Sequence, residues 1–225
     1  MKYKIYILSA ILLVMTSCGP TSKLTKSQAY SGIYNENPLT VLIMPPINRS
    51  TNVEAKEFFH TTLNVPIINA GYYVVPPFLS MEILKRESAY DSELFIDKSS
   101  LGVFKEIFGA DIALFTIINK WDKSSIGSKV TVDIEYIAKS TKTNETIYSR
   151  KGSVIYNTSI SGTGNILADI AGSLINTAAT KYVDVARACN EYGFSDLPAG
   201  LYNPKHKLDK AEMSGVKVFK VRLPK

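Results

Sequence analysis

The feature that most narrows the folds open to this 225-residue chain is a change of hydrophobic period part-way along it. Up to about Trp121 the short apolar runs are nearly unbroken: residues 39–44 read LTVLIM and residues 112–118 read IALFTII. Runs of that kind suit strands covered on both faces, as in a sheet with helices packed on either side. Beyond Trp121 the pattern changes. Val130, Val132, Ile134 and Tyr136 alternate with Lys129, Thr131, Asp133 and Glu135, the signature of a strand with one dry face and one wet face. Residues 140–144 make a turn, and residues 146–156 return as the second arm of a hairpin. The two periods together predict one α/β domain with a mixed β-sheet, with no internal repeat.

The punctuation between the runs supplies the helices. Thr51-x-x-Glu54 fits a capping box, and Phe59, Leu63 and Ile67 recur every four residues before Ala70-Gly71 ends the helix. Pro66 falls inside that span and should kink it or end its first part near Val65. Residues 72–75 read as a second strand. Helices are predicted at about 79–87 and 101–108, the latter stopped by Gly109. After the hairpin, Ser161-Gly162-Thr163-Gly164 breaks the chain and a long helix is expected over 165–192, with Ile166, Ile170, Leu174 and Ala178 on one face. The order is βαβααβ, then a hairpin, then a packing helix.

At the amino terminus, Lys2 and Lys4 precede an apolar stretch from Ile5 to Val14 that is too short to span a bilayer, which needs about 20 apolar residues. Met15-Thr16-Ser17-Cys18 follows. This is the arrangement of a bacterial lipobox, so residues 1–17 are expected to be a signal peptide and Cys18 the lipidation site, anchoring the chain to a membrane. The competing reading is ordinary cleavage that leaves a thiol at the new terminus. No acidic residue occurs between Cys18 and Glu36, so the Asp-type signal for inner-membrane retention is missing and the outer membrane, facing the periplasm, is the expected address. Residues 18–37 are polar and rich in Ser and Thr. They read as a flexible tether with a root-mean-square reach of about 25 Å. The folded domain is then placed at residues 38–210.

If Cys18 carries lipid, Cys189 has no partner, and the expectation is a small buried thiol on a helix with no disulfide. The formal charge of +6 includes Lys2 and Lys4. Its placement matters more than its size. From Lys205 onward seven basic residues stand against Asp209 and Glu212, a balance of +5, which leaves the rest of the mature chain near neutral. The basic segment after residue 210, with Val216, Val218 and Val221 flanking its charges, reads either as a solvated tail or as a strand for a sheet edge, its own or a partner's. Nucleic acid is not an expected partner for an exported protein. Anionic lipid, glycan or an acidic protein face are the candidates.

Motifs for chemistry are sparse. His60 and His206 lie far from each other and from any Cys, so no metal or Cys/His site can be written with familiar spacing. Ala171-Gly172-Ser173-Leu174-Ile175 lacks the glycine pattern of a nucleophile elbow. Gly162-Thr163-Gly164 lies between a strand and a helix, but Leu167 stands where a dinucleotide loop needs its third glycine, and SGTG reads as a helix entry. Asp91, Glu93, Asp97 and Glu106 offer paired carboxylates of the kind that hydrolyse glycosides when held across a cleft. Their polar surroundings favour solvated loop charges. Tyr72, Tyr73, Tyr182, Tyr192 and Tyr202 suit either core packing or a binding surface. No catalytic residue, cofactor or metal is expected.

Three segments add a resemblance: MPPINRSTNVEAKEFFHTTLNVPIINAGYYVVPP (44–77), FGADIALFTIINKWD (108–122) and LPAGLYNPKHKLD (197–209). Together they resemble a family of bacterial envelope lipoproteins of unassigned function whose fold is similar to the amino-terminal domain of the Tol-system periplasmic protein and to the curli-secretion lipoprotein. The resemblance covers about residues 38–210. It implies a noncatalytic accessory role in a transport-like envelope assembly, with other lipoproteins or transport components as partners and self-association as a further option. A binding module for glycan or a small solute is the alternative function. A glycan hydrolase using Asp or Glu is the third.

Overall fold

The computed structural model describes residues 24–97, 100–124, 129–157 and 178–223. Cys18, the SGTG break and the first part of the expected long helix lie outside the described residues. Seven strands form one sheet: β1 (Thr40–Ile43), β2 (Ile47–Asn48), β3 (Tyr73–Val74), β4 (Ile112–Lys123), β5 (Lys129–Ser140), β6 (Thr146–Asn157) and β7 (Val218–Leu223). Their order is β3-β1-β4-β5-β6-β7, with β2 pairing β4. β3, β1, β2 and β4 are mutually parallel, β4, β5 and β6 antiparallel, and β7 runs parallel to β6. The mixed single-domain sheet expected from the two hydrophobic periods is what forms, and the change from parallel to antiparallel pairing falls at β4.

The helices are α1 (Lys26–Ala29), α2 (Ser31–Glu36), α3 (Ala55–Thr62), α4 (Asn64–Asn69), α5 (Pro77–Arg86), α6 (Glu93–Ile96), α7 (Gly102–Phe108) and α8 (Ala178–Phe194). They divide the core into two. On one face of the sheet α1 to α4 and α8 bury Tyr30, Ile33, Phe59, Leu63 and Val185 against Ile43, Leu114, Ile134 and Val154. On the other, α5 and α7 bury Leu84 and Phe104 against Leu42, Met44, Ala113 and Phe115. That explains the unbroken runs at 39–44 and 112–118. Alternate residues of each go to opposite cores, and burial of each large side chain contributes about 1.5–3 kcal/mol. The β5 hairpin arm instead sends only Val130, Val132, Ile134, Tyr136 and Ala138 into the first core.

Local details differ from the expectation in four places. The Thr51/Glu54 capping box does not form: α3 begins at Ala55 and has no side-chain cap, and Asn52 instead turns the chain by accepting the Glu54 N–H at 3.1 Å. The helix divides as Pro66 requires, but at Leu63 and not near Val65, and Pro66 becomes the third residue of α4, where its missing N–H costs nothing. The strand read from the apolar run at 39–44 does not stop there for good. Val41 to Ile43 pair with Ile112 to Leu114, and Ile47 resumes opposite Ile117, so the two donor-less prolines form a bulge between β1 and β2. Finally, residues 24–37 are not all tether. α1 and α2 fold onto the sheet because Tyr30 (1 % exposed), Ile33 and Tyr34 share one face, and the polar residues between them hid that stripe in the sequence.

Gly109 stops α7 in the left-handed conformation (φ 66°), as its position predicts, and sets up the turn into β4. Asp111 then fixes the start of the sheet. One carboxylate oxygen accepts the N–H groups of Leu39 (2.9 Å) and Thr40 (3.0 Å), and the other takes the Lys105 ammonium at 2.5 Å. Burial pushes this carboxyl up, but the Lys105 bond and the two backbone donors outweigh it and hold it below the ordinary range. The Phe-Gly-Ala-Asp segment is therefore a joint between α7, β1 and β4.

Candidate interaction surfaces

The residues that suggested chemistry are scattered. Asp91 and Glu93 are exposed beside α6, with Glu93 paired to Arg49 and Asp91 accepting the Glu93 N–H at 3.1 Å. Asp97 is exposed at the end of α6. Glu106 lies on α7 and borders a different cavity of about 330 Å³ with Glu36, Lys105 and Asp111. The four carboxylates are not drawn into one cleft. Among the described residues no three His, Cys, Asp or Glu side chains are grouped to hold a metal ion. His60 is half-buried on α3 and borders a cavity of about 450 Å³ with Asn64, Phe78 and Met81; burial, reinforced by Lys56, pushes its imidazole down. His206 bonds the Ala199 carbonyl through Nδ1 at 3.0 Å. Cys189 is free and fully buried on α8, and that burial raises its thiol far above the ordinary value.

The tyrosines are mostly structural. Tyr72 donates to the Pro198 carbonyl at 2.9 Å; Tyr182 packs edge-on against Trp121 at 6.0 Å, under the Lys123 ammonium; Tyr192 packs on Phe219 at 5.0 Å. Of the five singled out, Tyr73 and Tyr202 are the exposed ones. Among the described residues no helix is long and apolar enough to cross a membrane.

Two surfaces remain, and the basic C-terminal segment builds both. At the first, residues 209–215 lock onto α1 and α2. Thr25 bridges Met213, the Lys26 N–H donates to the Glu212 carbonyl at 2.8 Å, and the Ser214 N–H donates to the Leu24 carbonyl at 2.8 Å. Asp209 is buried, accepting the Tyr34 hydroxyl (3.0 Å) and the Ala199 N–H (2.9 Å) with Lys26 at 3.6 Å. Asp196 accepts the Tyr30 hydroxyl and the Gly215 N–H. Burial, then the bond to Asp196, pushes the Tyr30 phenol far up, so it stays a donor.

The second surface is the outer half of the sheet. The valine-spaced tail forms β7 on the chain's own edge, with Val218 opposite Lys151 and Leu223 opposite Tyr156. Arg150 holds it there from inside. Its guanidinium is buried, donating to the carbonyls of Tyr192 (2.7 Å), Gly193 (3.1 Å) and Val216 (3.2 Å) and lying over the rings of Tyr192 and Phe219. Those carbonyls include the last turn of α8, where a cation is favoured. The role of Arg150 was missed in the sequence. The signal existed, because Tyr148, Arg150, Val154 and Tyr156 share the inward phase of β6. The opposite phase presents three cross-strand rows: Thr131, Ile155 and Arg222; Asp133, Ser153 and Lys220; Glu135, Lys151 and Val218. Each is exposed or half-buried, and the charge runs from acidic β5 to basic β7. Among the described residues no strand pairs the outer edge of β7.

Comparison with known proteins agrees with this architecture. The family model "Putative lipoprotein GNA1162-like" matches residues 28–197. A protein of Neisseria meningitidis serogroup B with the same kind of description, NMB1124/NMB1162, is 22% identical over 176 residues, covering 77% of this chain and 78% of that one. The crystal structure of lipoprotein GNA1162 from Neisseria meningitidis superposes with a TM-score of 0.50 at 22% identity, over 63% of this chain and 99% of that one, which shows the shared fold. The LpoB C-terminal domain from Escherichia coli is more distant, at 17% identity and a TM-score of 0.37 over 58% and 94% of the two chains, and carries no argument. The family match includes the segments 44–77 and 108–122, ends at the start of the third, and spans most of the described fold. This chain belongs to the GNA1162-like lipoprotein family.

Proposed function

We propose that the protein is a noncatalytic, lipid-anchored accessory component of a cell-envelope assembly of the transport-like kind, held at Cys18 after removal of residues 1–17 and resident in the outer membrane facing the periplasm. Membership of a lipoprotein family supports the anchor reading of Met15-Thr16-Ser17-Cys18. The observation that carries the accessory role is the half-open sheet. A parallel half covered by helices on both faces supports an antiparallel half whose outer face has polar, graded charge and whose edge strand is unpaired among the described residues. Such an edge and face can receive a strand or an oppositely charged protein surface. The scattered carboxylates and the buried Cys189 favour docking over chemistry.

Affinity capture of the lipidated protein from crosslinked cells, with Cys18→Ala as control, tests the reading. A recurrent set of envelope proteins that is lost in the control is the expected result; capture of nothing but background would reject it. Deleting residues 211–225 is unsuitable as the companion variant, because Gly215 bonds Asp196 and Phe219 is part of the core. Charge reversal of the outward residues Lys220 and Arg222 tests the face while keeping the fold.

A further inference from the structure

The point at which the chain becomes fixed sets how the domain meets the bilayer. Leu24 is tied to Ser214 by two hydrogen bonds, at 2.8 and 2.9 Å, so the chain is held to the fold no more than six residues after Cys18. At 3.3–3.6 Å per residue six residues reach at most about 20 Å even when fully extended. The reach of a nineteen-residue free tether is therefore unavailable, and the end of the domain that carries Leu24 is the end nearest the lipid.

That end has its own chemistry. Residues 199–213 cover it. The Gly200 and Tyr202 N–H groups bond the Ala70 and Gly71 carbonyls just before β3, Asp209 meets α2, and both attachment points lie where the parallel strands β1 and β3 begin. The segment projects large apolar side chains into solvent: Leu208 is 78% exposed, Tyr202 65% and Met213 53%, with Leu24 beside Met213 across the Thr25 bridge. Lys207 and Lys210 flank Leu208 and make no ion pair among the described residues, and Lys205 is 73% exposed. Exposed Leu, Tyr and Met interleaved with lysine, on the end of the domain that carries Leu24, is the composition of a surface that enters the headgroup layer.

We propose that this face, centred on Leu208 with Lys207 and Lys210, docks on an anionic lipid surface, so that the domain lies against the bilayer and the β2 end of the sheet points away from it. The proposal rests on the anchor at Cys18. It orients the half-open sheet across the space beside the membrane and gives the 201–213 segment a role separate from partner binding.

The test uses full-length lipidated protein in vesicles of phosphatidylethanolamine and phosphatidylglycerol. A polarity-sensitive fluorophore is placed at Leu208→Cys and, separately, at Val53→Cys, which is 85% exposed on the loop after β2 at the opposite end of the sheet; Cys189 is buried and unlabelled. Mass spectrometry first establishes lipid on Cys18. With lipid present, the probe at 208 should shift to the blue and be quenched by headgroup-labelled lipid, and the probe at 53 should behave as in water. Lys207→Gln and Lys210→Gln should each lower the docked-to-free ratio about fivefold. A probe at 208 that stays as wet as the one at 53 overturns the proposal and leaves the anchor intact. Protection of residue 208 in cells without quenching in vesicles overturns it in favour of a protein partner. Absence of lipid on Cys18 overturns both readings.

Discussion

The parallel and antiparallel halves of the sheet share β4 and little else in how they are held. β1, β2 and β3 are short, and the residues of β1 alternate between two cores. β5 and β6 are twelve residues long and send one face into the first core, with Ile137 alone of their described residues packing on the second. In the parallel half most strand positions are buried, Tyr73 at the sheet edge being an exposed one. The antiparallel half has three cross-strand rows on β5, β6 and β7 whose side chains are exposed or half-buried among the described residues. A protein that works by docking needs both kinds of region, one to fix shape and one to vary.

Equivalent truncations in the two halves should break that comparison most sharply. Phe115→Ala in β4 empties a fully buried position in the second core and should cost about 3–5 kcal/mol in urea unfolding. Ile155→Ala, on the outer face of β6, should cost under about 1 kcal/mol. Equal costs would show the two halves to be covered alike. Gly152→Ala separates the halves in another way, since a Cβ there would stand 2.0 Å from the Phe219 carbonyl oxygen. It should detach β7 at a cost of about 2 kcal/mol, read as protease cleavage before Val218 while the remaining core resists.

Asp111 joins the halves, and its effect should depend on pH. Its carboxyl is held below the ordinary range in the fold, so it binds a proton less readily folded than unfolded. The stability it contributes is fully present above the unfolded value of about 3.9 and is lost as pH falls through the lower folded value. Asp111→Asn should lower stability by about 1.5–3 kcal/mol at pH 7, and wild type and variant should converge below the folded value. A constant difference down to that pH would mean that the backbone donors, and not the charge, matter.

How much of this was legible in the sequence follows from how far each signal reaches. The two hydrophobic periods are local and long, so β1, β4, β5 and β6 and the place where pairing changes could be read directly, whereas the two-residue β2 was too short to show. The Gly109 stop was equally local. α1 and α2 were hidden because two helices of four and six residues carry too few apolar positions to show a period. Arg150, Asp196 and Asp209 were hidden for a different reason. Each is a polar residue that satisfies carbonyls, hydroxyls or N–H groups remote in sequence, and only the assembled tail reveals the partners. The lipobox-like Met15-Thr16-Ser17-Cys18 could be read in the sequence, yet that the fold is already fixed at Leu24, six residues beyond Cys18, required the contact between Leu24 and Ser214.

The smallest expected effect on stability is the most informative about function. Lys220 and Arg222 project from β7 on the phase opposite Phe219, with Ser153 and Ile155 as their cross-strand neighbours and no ion pair between these and β7 among the described residues. Replacing both by Glu places no like charge directly opposite, since the nearest acidic residue on that face, Asp133, is on β5, two strands away from Lys220. The double variant should therefore unfold within about 0.5 kcal/mol of wild type, while the charge gradient from β5 to β7 disappears and recovery of crosslinked envelope partners falls. A loss of stability above about 1 kcal/mol would mean that this face is packed as tightly as the one beneath Phe115. Unchanged recovery with an intact fold would move docking from the face to the outer edge of β7, which no strand pairs among the described residues, because backbone pairing along an edge is indifferent to which charges the strand carries.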